Sequence, residues 1–103
     1  MGEWVKIAKK NDLAPGSSKH IELEDKGVCV ALSNVDGKYY AIDSVCPHMG
    51  GPLGEGEMDG NVVVCPWHGW PFDVVTGNCA IRPGLKQKVF TLKSEGEEIF
   101  VEL

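Results

Sequence analysis

Cys46-Pro47-His48-Met49-Gly50-Gly51-Pro52-Leu53 and Cys65-Pro66-Trp67-His68-Gly69-Trp70-Pro71-Phe72 together decide how this chain reads. Each segment pairs one thiol with one imidazole and then opens into glycine. The spacing is C-x-H, sixteen intervening residues, then C-x-x-H. Four soft or borderline ligands in two similar loops form a metal-site pattern rather than a disulfide framework. Two Cys and two His also suit a tetrahedral zinc ion. The single residue between Cys46 and His48 is tighter than the roughly two to four of structural zinc sites. Gly69 and Pro71 also exclude a helix carrying a histidine pair. A structural zinc module that binds another protein stays open on these grounds but fits the spacing less well.

Outward from these loops the pattern is one of short strands. Asp36-Gly37 separates Val28–Leu32 from Lys38–Ile42, and Asp59-Gly60 separates Gly56–Met58 from Asn61–Val64. Asp-Gly between apolar runs is a strong hairpin signal, and the second hairpin leads straight into Cys65. Val28–Leu32 is apolar enough for a central strand. Trp4–Ala8, His20–Glu24, Phe72–Val75, Lys88–Leu92 and Glu98–Glu102 complete the set, with a turn-rich connection at Asn11–Ser17. The expected fold class is all-β, an antiparallel sandwich or barrel. The chain has 103 residues and shows no internal repeat or linker. It therefore reads as a single domain, residues 1–103, with the metal-binding part at about 44–80.

Composition narrows the function. The formal charge of -5 argues against nucleic acid, whose phosphates call for Lys and Arg. It suits docking on a basic protein surface. No apolar run reaches the roughly 18 residues of a membrane span, and the N-terminus lacks a secretory pattern. Met1-Gly2 matches the start of a myristoylation signal, but Val5-Lys6 does not complete it. The expected location is cytoplasmic, with no membrane partner. Cys29 and Cys79 are then unbridged thiols, because reducing compartments disfavour disulfides. No glycine-rich nucleotide motif is present, so the chain cannot draw electrons from a nicotinamide or flavin itself.

C-P-H-M-G-G-P-L followed by C-P-W-H-G-W-P-F-D-V-V-T-G resembles the two cluster-binding boxes of the Rieske [2Fe–2S] family over their full length. The resemblance runs from Cys46 to Gly77; the flanking strands match it in length and order only. It implies a Rieske-like sandwich with a small two-loop cluster-binding subdomain and one [2Fe–2S] cluster. By the same resemblance Cys46 and Cys65 hold the inner iron, and His48 and His68 the outer one. The electrostatic consequence follows from charge alone. Two ferric ions, two sulfides and two thiolates sum to neutral, whereas four thiolates leave a dianion. Histidine ligation therefore raises the potential, and the free ring N–H of each imidazole couples it to pH.

High-potential members of that family carry a disulfide between the loops and a serine and tyrosine that donate to cluster sulfur. The matching positions here are Gly51, Trp67, Trp70 and Phe72, so these features are missing. The implied potential lies near the low end of the roughly -150 to +300 mV Rieske window. The length and the absent disulfide resemble the ferredoxins of ring-hydroxylating dioxygenase systems. That resemblance implies a one-electron carrier and not an enzyme, with a flavoprotein ferredoxin reductase as donor and a terminal oxygenase as acceptor. The alternative is a Rieske-like small subunit of an NAD(P)H-dependent nitrite reductase.

Further residues carry lesser expectations. Gly50, Gly51 and Gly69 let backbone N–H groups approach the cluster, Pro47 and Pro66 stiffen the loops, and Leu53 and Pro83 act as lids. Trp67 and Trp70 are either docking anchors or shields. His20 is expected to face solvent, and Trp4, Phe90, Ile99 and Phe100 to lie in the core.

Overall fold

The computed structural model describes residues 2–47, 50–67 and 69–103. The described residues form ten strands: β1 (Trp4–Lys9), β2 (Ser17–Leu23), β3 (Val28–Val35), β4 (Lys38–Asp43), β5 (Glu57–Asp59), β6 (Val62–Val64), β7 (Pro71–Asp73), β8 (Val89–Phe90), β9 (Leu92–Glu95) and β10 (Glu98–Glu102). The helical content among them is three short 3-10 turns, at Lys10–Asp12, Glu24–Lys26 and Leu53–Glu55. Three antiparallel sheets result, in the orders β1-β10-β9, β2-β3-β4-β8 and β5-β6-β7. The all-β expectation holds.

The four-stranded sheet is a wall between two cores. Side chains alternate across a strand, so a strand covered on both faces must be apolar on both. Val30, Leu32 and Ala41 face one core with Ala8, Leu13, Phe90, Ile99 and Val101. Ala31 and Ile42, their neighbours along β3 and β4, face the other with Leu53, Val63, Phe72, Val74 and the thiols of Cys46, Cys65 and Cys79. This explains why Val28–Leu32 lacks polar alternation. It also seats the Cys46 and Cys65 loops on the second core.

Several boundaries differ from the sequence reading. β2 begins at Ser17, inside the stretch expected to be a turn, because Ser17 to Leu23 pair residue by residue with Asn34 to Val28. The second hairpin turns at Gly60-Asn61, since Asp59 still pairs with Val62. Val74 and Val75 leave the strand: Oδ1 of Asp73 accepts from the N–H of Val75 at 2.8 Å and of Thr76 at 3.1 Å, an Asx turn that competes with strand pairing. The run Lys88–Leu92 is two strands. Phe90 pairs with Ala41 while Leu92 pairs with Val101, so the chain changes sheets at Thr91. Phe90 and Ile99 are buried as expected. Trp4 and Phe100 instead flank the Lys93 ammonium, 4.6 and 5.7 Å from the ring centres, and Trp4 is exposed.

Candidate metal centre

Two hairpins of the same design carry the ligand motifs. In the first, β4 runs on through Ser44 and Val45, and a bridge between Val45 and Pro52 closes the base. The Cys46 N–H then donates to the Gly51 carbonyl at 2.9 Å, and the Gly50 N–H to the Cys46 carbonyl at 2.7 Å. In the second, β6 delivers Cys65 and the pairing of Val64 with Pro71 closes the base. The Cys65 N–H donates to the Trp70 carbonyl and the Gly69 N–H to the Cys65 carbonyl, both at 2.9 Å. Both of these bonds of the first loop thus recur in the second at the same offset, among the described residues. The turn residues are Gly50 at φ 80° and Gly69 at φ 74°, a region that L-residues with a Cβ avoid.

Both cysteines are buried, at 1% and 2% exposure, and belong to the same apolar cluster as Leu53, Val63 and Phe72. The loops touch each other at Gly51. A Cβ there would stand 2.9 Å from Cδ2 of Trp67 and 3.0 Å from Sγ of Cys65. Trp67 itself is 55% exposed, while Trp70 is half-buried against the apolar cluster with the Arg82 guanidinium 5.7 Å from its ring centre. The two tryptophans thus separate into an exposed one and a packed one. Val45 and Ile81 add to the exposed apolar surface, and Pro47 and Pro66 are exposed as well.

His48 and His68, the other two ligand candidates, lie outside the described residues, as does Met49. The described part of the centre therefore comprises two thiols carried on twin hairpins. No group of three or more His, Cys, Asp or Glu side chains suited to a metal occurs elsewhere among the described residues. A buried pair of soft sulfur donors, beside a glycine whose missing side chain leaves room at Cys65, fits an iron–sulfur group.

Other expectations need correction. His20 does not simply face solvent: its Nδ1 lies 2.6 Å from the buried Ser44 Oγ and the ring is half-buried. The parity of β2 places it on the inner face, where the cross-strand partner Ala31 is fully buried. Leu53 is fully buried core rather than a lid, and Pro83 is exposed. Ser44 and Gln87 carry no motif and escaped the sequence reading, although Ser44 stands two residues before Cys46. Cys29 and Cys79 hold free thiols. Burial, followed by the Glu22 and Asp43 carboxylates, pushes the half-buried Cys29 thiol above its ordinary value.

Sheets, twin hairpins and two buried thiols define an all-β protein with a pair of soft donors on matched loops. The Rieske [2Fe-2S] domain family matches residues 3–95, and the chain belongs to that family, whose domain holds an iron–sulfur cluster of the 2Fe–2S type. It is similar to ferredoxin CarAc of Metapseudomonas resinovorans, with 31% identity over 95% of this chain and 92% of that one. A solved complex of reduced oxygenase and oxidised ferredoxin in carbazole 1,9a-dioxygenase contains a chain that matches at 31% identity with a TM-score of 0.87, covering 96% of this chain and 92% of that one. Longer relatives contain the same unit. The cholesterol 7-desaturase nvd of Hemicentrotus pulcherrimus is 36% identical over 78% of this chain, which spans 17% of that protein. The solved small subunit of a putative NADH-dependent nitrite reductase from Mycobacterium tuberculosis has a TM-score of 0.88 at 24% identity, covering 100% and 96% of the two chains, and shows the fold alone. No helix among the described residues is long and apolar enough to cross a membrane.

Proposed function

We propose that this chain is a one-electron carrier that passes electrons from a flavoprotein ferredoxin reductase to a terminal oxygenase. Its near end-to-end likeness to ferredoxin CarAc and to a chain of the oxygenase–ferredoxin complex in carbazole 1,9a-dioxygenase carries the reading. The twin hairpins support it, because two buried thiols give a fixed seat for a group that changes charge. In this proposal Cys46, His48, Cys65 and His68 hold one [2Fe–2S] cluster, which supplies reversible uptake of a single electron. Residues 1–103 act as a single domain in the cytoplasm, with the cluster-binding part at about 44–80. The chain's own contribution is electrostatic and steric. The cysteines sit in an apolar cluster that excludes water, and Trp67 covers the seam between the loops while leaving an apolar face outward. Exposed aromatic surface of this kind suits a transient protein contact.

Affinity purification from the native cell tests the reading. Recovery of an oxygenase and a flavoprotein reductase is the expected result. Stoichiometric recovery with a siroheme reductase overturns it in favour of the nitrite reductase subunit. A colourless, zinc-loaded product without a reduced-state paramagnetic signal overturns both.

A further inference from the structure

The segment Asp43-Ser44-Val45, which joins β4 to Cys46, is held by more polar contacts than a strand end requires. Ser44 is fully buried, so each of its polar atoms must find a partner within the protein. Its N–H donates to the Cys29 carbonyl at 2.9 Å and its carbonyl accepts from Leu53 at 2.7 Å. Its hydroxyl oxygen accepts from the Gly54 N–H at 3.0 Å and lies 2.6 Å from His20 Nδ1. The carbonyls on either side belong to another side chain. Nε2 of Gln87 donates to Asp43 O at 2.9 Å and to Val45 O at 2.5 Å. Gln87 is buried too, and its own N–H is tied to Gly77 at 2.8 Å.

We propose that His20 and Gln87 are positioning residues of the metal centre, clamping Asp43-Ser44-Val45 from two separate elements and so setting where the Cys46 hairpin stands against the Cys65 hairpin. The inference rests on the cluster reading above. The geometry supports it at both ends of the first hairpin. Gln87 grips the strand entering the loop, while Ser44, oriented by His20, grips Leu53 and Gly54 where the chain leaves it. Close packing ties His20 to the exit: a Cβ on Gly54 would fall 2.5 Å from the His20 Cα and N. An apolar residue at Gln87 would remove the donor to the Asp43 and Val45 carbonyls, and one at Ser44 would remove the acceptor of the Gly54 N–H and the partner of the His20 ring nitrogen. That cost falls on the one segment connecting the scaffold to Cys46.

Three variants of the cluster-loaded protein test this: Ser44→Ala, Gln87→Met and His20→Asn, the last retaining a polar atom near the Nδ1 position. Amide hydrogen exchange, the reduced-state paramagnetic spectrum and the midpoint potential are the readouts. Ser44→Ala and Gln87→Met are expected to speed exchange at Leu53 and Gly54 roughly tenfold, the factor that loss of one buried hydrogen bond gives. Amides of β10 should be unmoved. The same two variants should shift the spectrum and the potential, and His20→Asn should stay close to the parent protein. Spectra and potentials identical to the parent in both Ser44→Ala and Gln87→Met overturn the clamp and leave the cluster reading intact. A parent protein with no paramagnetic signal overturns the cluster reading and the clamp with it.

Discussion

Gly51 and Trp67 meet across the Cys46 and Cys65 hairpins, with the indole Cδ2 only 2.9 Å from where a Gly51 Cβ would be and the Cys65 Sγ at 3.0 Å. These are the two positions at which the family resemblance places a disulfide in high-potential members. In this chain an aromatic ring lies against a bare backbone instead, and the loops are joined by contact rather than by a covalent bond. A glycine is required on one side because the ring and a buried thiol occupy the space a side chain would fill.

Replacing Gly51 with Ala should therefore overpack the seam and cost about 1–3 kcal/mol. Trp67→Ala in the same chain should recover part of that loss, because two of the three nearest atoms to a Gly51 Cβ belong to the Trp67 ring. Thermal unfolding of the two single variants and the double variant measures the coupling, which additivity would refute.

The midpoint potential is expected near the low end of the roughly -150 to +300 mV Rieske window. Phe72 is fully buried and carries no hydroxyl, and Trp70 replaces a serine, so neither residue supplies a hydroxyl donor that would stabilise added negative charge. A redox titration with a midpoint above about +150 mV would contradict this.

His48→Cys or His68→Cys, where a cluster still assembles, should lower the potential. A thiolate in place of a neutral imidazole makes the site more negative and an added electron less favourable. Unchanged potentials would remove these histidines from the ligand set.

Cys29 should alkylate slowly in the native protein. Burial and then the Glu22 and Asp43 carboxylates raise its thiol above the ordinary value, so the folded state holds the proton more tightly than the unfolded chain does. The sign follows directly: this contribution to stability is present below the unfolded value and is lost as pH rises through the folded one. Site-resolved mass spectrometry of alkylation against pH should show the native curve displaced to higher pH than the denatured one. Coincident curves would refute it.

Leu53→Ala should destabilise the protein by about 2–5 kcal/mol, since Leu53 is fully buried in the cluster that also holds Cys46 and Cys65. Denaturant unfolding tests the size. A loss below about 1 kcal/mol would mean that the site collapses around the gap.

The family motif, the strand-rich fold and the first hairpin were legible in the chain because each depends on neighbours in sequence. A thiol–imidazole spacing, an Asp-Gly turn and an apolar run long enough for a two-faced strand are all local signals. Strand limits near Ser17, Val74 and Thr91 were not, because there a partner strand or an Asx turn outweighs intrinsic preference. The shared hydrogen-bond pattern of the two loops, the contact of Gly51 with Trp67, and the convergence of His20 and Gln87 on the segment Asp43-Ser44-Val45 depended on the tertiary structure. Those relations join residues far apart in sequence, and only the packing of β2, β4 and the segment around Gln87 brings them together. Ligand chemistry is carried by residue type and spacing. The residues that hold Asp43-Ser44-Val45, just before Cys46, are named by no local pattern.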